Sequence, residues 1–154
     1  MATGLADLMK AAGLTHGGFY KHFASKDQLV AEATVAAVDS ITEELAAHPT
    51  VNSAVAAYLS TRHRDNPASG CPLAALGGEL ARSDKKARAA ATAGFVKLVD
   101  VLAGKSRTAD VRRPALVAAA TMIGAVTMSR MVSDPKLSAE ILRAAEESLA
   151  ADQS

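Results

Sequence analysis

A short aromatic and basic cluster near the start of the chain carries its most specific chemistry. The chain has only three Phe and two Tyr, yet Phe19, Tyr20 and Phe23 fall within five positions, flanked by histidines and lysines. Phe19 and Phe23 are four residues apart, so they share one helix face and are predicted to pack in a core. Tyr20 points elsewhere, and Tyr hydroxyls, His rings and Lys ammonium groups near helix starts are typical phosphate-binding groups.

Two short helices joined by a glycine-containing turn are predicted around this cluster. Residues 5–12 have helical apolar spacing, and Gly13 ends the first helix. Thr15 is placed to cap the second helix. The pattern is that of a helix-turn-helix. Gly17 and Gly18 each cost about 1 kcal/mol of helix stability relative to Ala, and they would let the helix backbone approach the major groove of DNA closely.

The rest of the chain shows helical periodicity and no strand-like alternation of useful length. Ser25 and Gln28 have the spacing of a capping box, in which Ser25 caps the helix and Gln28 reaches back to it. The predicted fold class is therefore all-α, with about eight helices. One long helix is predicted from the Ser25 cap to a stop at His48-Pro49, and another is marked by residues from Val51 to Arg62. A helix begins at Pro72, and the next is capped by Ser83-Asp84 and ends at Gly104. The last two helices are predicted at residues 110–132 and 135–150.

Composition limits the class of protein. The 154 residues fit one globular domain, or one domain with a small appended module. A net charge of +1 provides no global field for a polyanion, so nucleic-acid binding requires a local patch. One cysteine excludes an internal disulfide and fits a reducing compartment. Residues 114–129 are uncharged but shorter than the ~20 residues of a membrane span, so a buried or interface helix is predicted there, with no membrane partner.

The segment LADLMKAAGLTHGGFYKHFASKDQL resembles the helix-turn-helix and following linker helix of the TetR family of bacterial transcriptional regulators. It covers 25 of the 154 residues. The resemblance implies that residues 15–18 lie at or near base edges, although His16 reads a base or simply faces solvent. It also implies that Tyr20, His22 and Lys26 hold phosphates. The predicted DNA-binding residues are Thr15, His16, Gly17, Tyr20, Lys21, His22 and Lys26.

The resemblance also implies a domain organisation and a function. Residues 1–26 would form a DNA-binding head and residues 27–154 a helical ligand-binding and dimerisation domain. The chain would be a cytoplasmic, ligand-responsive regulator, a repressor that binds a palindromic operator in double-stranded DNA as a homodimer.

One departure from the family pattern leaves an alternative open. Family members usually begin with another helix, whereas this chain starts only a few residues ahead of the predicted helix-turn-helix. We expect either that the start is internal to a longer gene product or that DNA binding is weakened. In the second case the chain would be a dimeric small-molecule-binding module that has lost DNA binding through the missing first helix.

Candidate effector-binding residues follow from the middle of the chain. Tyr58, Arg62 and His63 lie on or near one helical face, which either forms the wall of a pocket for a small apolar or amphipathic effector or has a structural role. In the second case Tyr58 packs in the core and Arg62 forms an ion pair on the surface. Cys71 precedes a helix start that would stabilise a thiolate, so it is either a redox-sensing residue or a small buried one. The predicted ligand-binding residues are Tyr58, Arg62, Cys71, Leu76 and Phe95.

The last two helices are predicted to form either single-chain core or, as we favour, a two-fold four-helix interface. Small residues would permit close crossing, and methionines would fill gaps. The predicted interface residues are Met122, Gly124, Ala125, Met128, Ile141 and Ala145. No cofactor or metal is predicted, because His16 and His22 have no helical i,i+4 partner and no nearby cysteine. No nucleophile–base spacing indicates an enzyme.

Overall fold

The computed structural model of the chain describes residues 5–13, 15–104 and 108–151, and these residues form helices, turns and loops without a strand. The all-α prediction is therefore confirmed. A single 3-10 turn, Pro67–Ser69, lies between the fifth and sixth helices. The α-helices are α1 (Leu5–Ala11), α2 (His16–His22), α3 (Lys26–Ala46), α4 (Val51–Tyr58), α5 (Thr61–Asp65), α6 (Pro72–Arg82), α7 (Lys85–Leu102), α8 (Ala109–Met131) and α9 (Pro135–Ala151).

The first two helices form the predicted helix-turn-helix. Gly13 follows α1 with a φ of +67°, a left-handed conformation that glycine adopts without steric cost. The Thr15 hydroxyl accepts a hydrogen bond from the Gly18 N–H at 3.2 Å and so caps α2, as predicted. Phe19 is buried, but Phe23 is only half-buried, because it is the C-cap residue at which the chain leaves the helix in an extended conformation.

The long helix α3 begins with the predicted cap but with a different reciprocal bond. Ser25 Oγ accepts a hydrogen bond from the Gln28 N–H at 3.1 Å. Gln28 Oε1 accepts from the Ala24 N–H at 2.8 Å, where a capping box would place the Ser25 N–H. Gln28 also donates to Glu32 at 2.9 Å, so its amide bridges the loop and the second turn of α3.

The predicted single helix over residues 51–62 is wrong, since the chain forms two helices there. Helix α4 ends at Tyr58, and Ser60 Oγ accepts a hydrogen bond from the His63 N–H at 3.2 Å, which starts α5. The same hydroxyl donates to the Ala57 carbonyl oxygen at 2.7 Å. Ser60 therefore ends α4 and caps α5. The spacing of apolar residues does not report such hydrogen bonds.

The core lies between α3, α4 and the last four helices. Its most deeply buried large side chains include Val38, Tyr58, Leu98, Met122 and Val126. Helix α3 packs along α7, and α8 packs against both α7 and α9. By length and composition alone, α8 is a helix that could cross a membrane, but in this fold it is one member of the helical bundle.

Candidate functional site

Helix α2 presents three of the predicted DNA-contacting side chains to solvent. Tyr20, Lys21 and His22 are all exposed, while Phe19 is buried. The Tyr20 ring stands edge-on to the Phe19 ring with a centroid separation of 5.1 Å and an interplanar angle of 85°. The contact with Phe19 orients the Tyr20 ring. Tyr20 is nevertheless 61% exposed, so much of its side chain remains in solvent.

The other predicted DNA-contacting residues flank this surface. Lys26 is the first residue of α3 and is exposed. Thr15 is exposed, and its hydroxyl is used in the cap of α2. His16 and Gly17 form the first two positions of α2, but their surroundings lie outside the described part of the structure. Helices α2 and α3 thus bring the cations at positions 21 and 26 to one end of the chain.

A cavity of about 90 Å³ lies between the C-terminal half of α3, α4 and α5. Of the five predicted ligand-binding residues, Tyr58 and Arg62 line it. Arg62 Nη2 lies 2.9 Å from Glu44 Oε1, so an exposed ion pair joins α5 to α3 beside the cavity. The complete lining is Ile41, Glu44, Leu45, Ala57, Tyr58, Arg62, His63, Asn66 and Ser69.

His63, which the sequence places on or near the same helical face as Tyr58 and Arg62, also lines the cavity and connects several parts of this region. Its Nδ1 lies 2.6 Å from the Tyr58 carbonyl oxygen, and its Nε2 accepts a hydrogen bond from the Cys71 N–H at 2.9 Å. The ring also packs edge-on against Tyr58 at 4.5 Å. Burial lowers the pKa of His63, the hydrogen bond to the Tyr58 carbonyl opposes that shift, and the positive charge of Arg130 lowers the pKa further.

Three of the predicted ligand-binding residues do not line the cavity. Cys71 is buried behind the His63 ring at the N-cap position of α6. Leu76 is exposed on α6, and Phe95 is half-buried against the main core. The cavity has no lining residue from α6 or α7, because the break after α4 folds α5 back toward α3.

Arg130 has no role in the sequence prediction. From the last turn of α8, its Nη2 donates to the His63 carbonyl oxygen at 2.7 Å and its Nε to the Arg64 carbonyl oxygen at 3.0 Å. These bonds satisfy carbonyl groups of the short helix α5. A Cβ added at Gly70 would lie 2.6 Å from His63 Nε2 and 3.2 Å from Arg130 Nη2, so the Gly70 backbone packs directly on both side chains.

The Tyr58 hydroxyl lies in the same buried region. It has no hydrogen-bond partner among the described residues. Burial raises the pKa of Tyr58 well above its usual value, and the adjacent Cys71 raises it further. The phenol is therefore neutral, and its ring serves as a packing surface for His63.

The outer faces of α8 and α9 carry exposed apolar side chains. Positions 117, 121, 124, 128 and 131 follow the alternating four- and three-residue spacing of one helix face. Val117, Met128 and Met131 on this stripe are exposed, and a Cβ added at Gly124 would meet no atom within 4 Å. Leu137 on α9 is also exposed.

The predicted interface residues are divided between this stripe and the interior. Gly124 and Met128 lie on the outer stripe. Met122 and Ala125 are buried inside the chain itself. Ile141 and Ala145 are partly buried against the chain's own core.

A second, more open depression of about 1050 Å³ lies where the ends of α7 and α9 meet the starts of α4 and α8. Leu102, Pro114, Val117 and Leu149 are among its lining residues, and the five predicted ligand-binding residues are not. Among the described residues, no group of three or more His, Cys, Asp or Glu side chains is arranged to hold a metal ion.

A helix-turn-helix with exposed cations, joined by a long helix to a helical domain with a cavity, is the architecture of a DNA-binding regulator. Residues 1–33 match the family model of the bacterial regulatory proteins of the tetR family. The reduced form of NemR from E. coli has a similar fold, with a TM-score of 0.73 and 21% sequence identity over 95% of this chain and 83% of that chain. No curated protein sequence matches the chain. The chain is therefore similar to TetR-family regulatory proteins over residues 1–33, and its fold is similar to that of NemR.

Proposed function

We propose that this chain is a cytoplasmic, ligand-responsive repressor that binds a palindromic operator as a homodimer and catalyses no reaction. The observation that carries the proposal is the exposed set of Tyr20, Lys21 and His22 on α2, with Lys26 at the adjoining start of α3. These groups are suited to the phosphates on either side of a groove that α2 enters.

Aromatic contacts order the second half of the recognition helix α2. The buried Phe19 ring contacts the rings of Tyr20 and Phe23 within the same segment, at 5.1 and 5.4 Å. The N-terminal residues of α2, which follow Thr15, would contact base edges, while the side chains at positions 20, 21, 22 and 26 would contact the sugar-phosphate backbone. Phosphate contacts set the register, and base contacts set the sequence preference.

Homodimerisation is supported by the apolar stripe on α8. Val117, Met128 and Met131 are exposed in the single chain, and Gly124 leaves space for a partner helix. A two-fold axis would pair this stripe with its copy and place Leu137 of α9 at the edge of a four-helix interface. The two heads would then read the two halves of a palindrome.

Effector response is assigned to the cavity beside α3. Ile41, Glu44 and Leu45 of its lining belong to the helix whose first turn carries Lys26. A ligand in the cavity would therefore contact the same rigid element that joins the DNA-binding head to the rest of the chain. Release of DNA requires that the ligand bind one arrangement of the heads more tightly than the other.

The test is titration of the full-length gene product against the DNA upstream of its own gene, followed by fluorescence anisotropy at several salt concentrations. We expect saturable binding by a dimer, with an affinity that falls steeply as salt rises. A dimer that binds small molecules but shows no salt-dependent affinity for that DNA would contradict the repressor proposal. It would support a ligand-binding module without DNA affinity.

A further inference from the structure

We propose that the cavity beside α3 binds a short-chain carboxylate, and that this carboxylate competes with Glu44 for the guanidinium of Arg62. The inference rests on the proposed effector function and names the chemical class of the effector. It depends on the lining of the cavity, on its size, and on the ion pair at its edge.

The lining has two chemically different sides. Ile41, Leu45 and Ala57 supply an apolar side, whereas Arg62, Asn66 and Ser69 supply side chains that can donate hydrogen bonds. His63 contributes no charge, because its ring nitrogens are used by the Tyr58 carbonyl and the Cys71 N–H. The positive charge of the lining therefore comes from Arg62, and the chemistry suits a ligand with one anionic end and a short apolar tail.

The guanidinium of Arg62 already binds a carboxylate, that of Glu44. Glu44 Oε1 lies 2.9 Å from Arg62 Nη2, so a carboxylate oxygen occupies one of the guanidinium donors. The Arg62 side chain is 78% exposed and that of Glu44 is 50% exposed. Such a pair is held weakly, so a second carboxylate can replace the first at little cost. The planar fork of an arginine also matches two carboxylate oxygens at once.

The volume limits the length of the ligand. A cavity of about 150 Å³ holds a benzene molecule, and this one measures about 90 Å³. By proportion this cavity holds roughly four non-hydrogen atoms, so propionate, which has five, is at the upper limit of size. For so small a molecule we expect a dissociation constant on the order of 1 mM.

Binding of the carboxylate would break the ion pair between α5 and α3. Glu44 lies in the last turn of α3, whose first residue is Lys26. Exchange of Glu44 for a ligand carboxylate removes a tether on the linker helix in the liganded state only. This is the kind of differential contact that a ligand-induced change requires.

The experiment is a titration of the full chain with sodium propionate at constant ionic strength, followed by two-dimensional ¹H–¹⁵N NMR. Propionamide, which has the same shape without the charge, is the control ligand. We expect propionate to shift the amide signals of residues 41–45 and 58–69 in a saturable way, and propionamide to leave them in place. Equal responses to both ligands, or no saturation by propionate, would overturn the inference.

Two variants with opposite expected effects sharpen the test. Arg62→Gln should weaken propionate binding about two- to fivefold, whereas Glu44→Gln should tighten it by a similar factor, the range that corresponds to an exposed ion pair. Arg112→Gln is the matched control, since Arg112 is also an exposed arginine, lies 3.9 Å from Asp100 and is not among the lining residues. Weaker binding by Glu44→Gln would contradict the competition even if Arg62→Gln failed to fold.

The outcome is independent of the DNA-binding proposal. Failure of propionate to bind, combined with salt-dependent binding of the upstream DNA, would sink the carboxylate inference and leave the regulator intact. Propionate binding without DNA binding would contradict the repressor proposal and support the carboxylate inference.

Discussion

His63 and Cys71, eight residues apart, are joined through the histidine ring, whose Nε2 accepts the Cys71 backbone N–H at 2.9 Å. The opposite nitrogen, Nδ1, lies 2.6 Å from the Tyr58 carbonyl oxygen. A carbonyl can only accept and an N–H can only donate, so the ring must be neutral with its proton on Nδ1. A second proton on Nε2 would face the Cys71 N–H and break the link between α5 and the start of α6.

Acidification should therefore destabilise the chain through His63. Burial, helped by Arg130, lowers its pKa in the folded state below the 6.5 of a free histidine. Between those two pKa values the unfolded chain binds a proton that the folded chain does not. The contribution of His63 is thus fully present above about pH 6.5, and it is lost as the pH falls to the folded pKa. The loss is at most about 1.4 kcal/mol per pH unit.

Urea unfolding at pH 7.5 and pH 5 measures this effect, with the His63→Asn variant as the control. The variant should be less stable than the parent at pH 7.5, and its stability should change less between the two values. Asp65, whose pKa is lowered by Arg64, loses its favourable charge only below the usual aspartate range and does not interfere. An unchanged pH dependence in the variant would show that His63 is not the group responsible.

Removal of phosphate-contacting groups should weaken DNA binding without changing sequence preference. Tyr20→Phe keeps the ring that contacts Phe19 and removes only the hydroxyl, so binding should weaken about three- to tenfold. Lys26→Gln should reduce the slope of log K against log salt by about 0.9. Thr15→Ala is expected to differ, since it also removes the cap of α2.

Fluorescence anisotropy with the operator and with a scrambled duplex checks these changes. The control is Arg112→Gln, which removes a positive charge at the start of α8 and should leave the salt slope unchanged. A Tyr20→Phe variant that discriminates differently between the two duplexes would contradict the assignment of Tyr20 to the backbone.

Two glycine-to-alanine substitutions should change stability in opposite directions. A Cβ at Gly94 on α7 would lie 2.8 Å from a methyl group of Val38, which is buried on α3, so Gly94→Ala should cost about 1–2 kcal/mol. A Cβ at Gly77 would meet no atom within 4 Å. Gly77→Ala should therefore stabilise α6 by about 0.5–1 kcal/mol. Thermal unfolding followed by circular dichroism separates the two, and a Gly94→Ala variant as stable as the parent would contradict the close approach of α3 and α7.

Residues close in sequence made the helices predictable. The caps at Thr15, Ser25 and Asp84 follow from a side chain and a backbone N–H three residues later, so the starts of α2, α3 and α7 could be read directly. The split between α4 and α5 depends on the Ser60 hydroxyl, which donates to the Ala57 carbonyl oxygen and accepts from the His63 N–H. Apolar spacing alone could not reveal it.

The cavity was harder to predict than the helices, because its geometry depends on contacts between distant residues. Arg62 meets Glu44 18 positions away, and Arg130 reaches the His63 carbonyl across 67 positions. Tyr58 and Arg62 could be chosen from one helical face, although that helix is broken between them. Leu76 and Phe95 were predicted as pocket residues from their helices alone, and they lie outside the cavity lining.

A charge placed on the outer stripe of α8 should dissociate the proposed homodimer. Met128 is 45% exposed in the single chain, so Met128→Glu places a carboxylate in solvent when the chain is a monomer. In a two-fold interface the same change buries two carboxylates near one another, which costs several kcal/mol. We expect the sedimentation coefficient to fall from that of a dimer to that of a monomer, with the helical circular dichroism spectrum retained.

The matched control is Val96→Glu, which places the same charge at a partly exposed apolar position on α7. Because this position lies off the stripe, the variant should sediment as the parent does. Since two linked heads bind a palindrome far more tightly than one, Met128→Glu should also weaken operator binding at protein concentrations that do not restore the dimer. A parent chain that sediments as a monomer at every concentration, or a Met128→Glu variant that stays dimeric, would place the interface elsewhere.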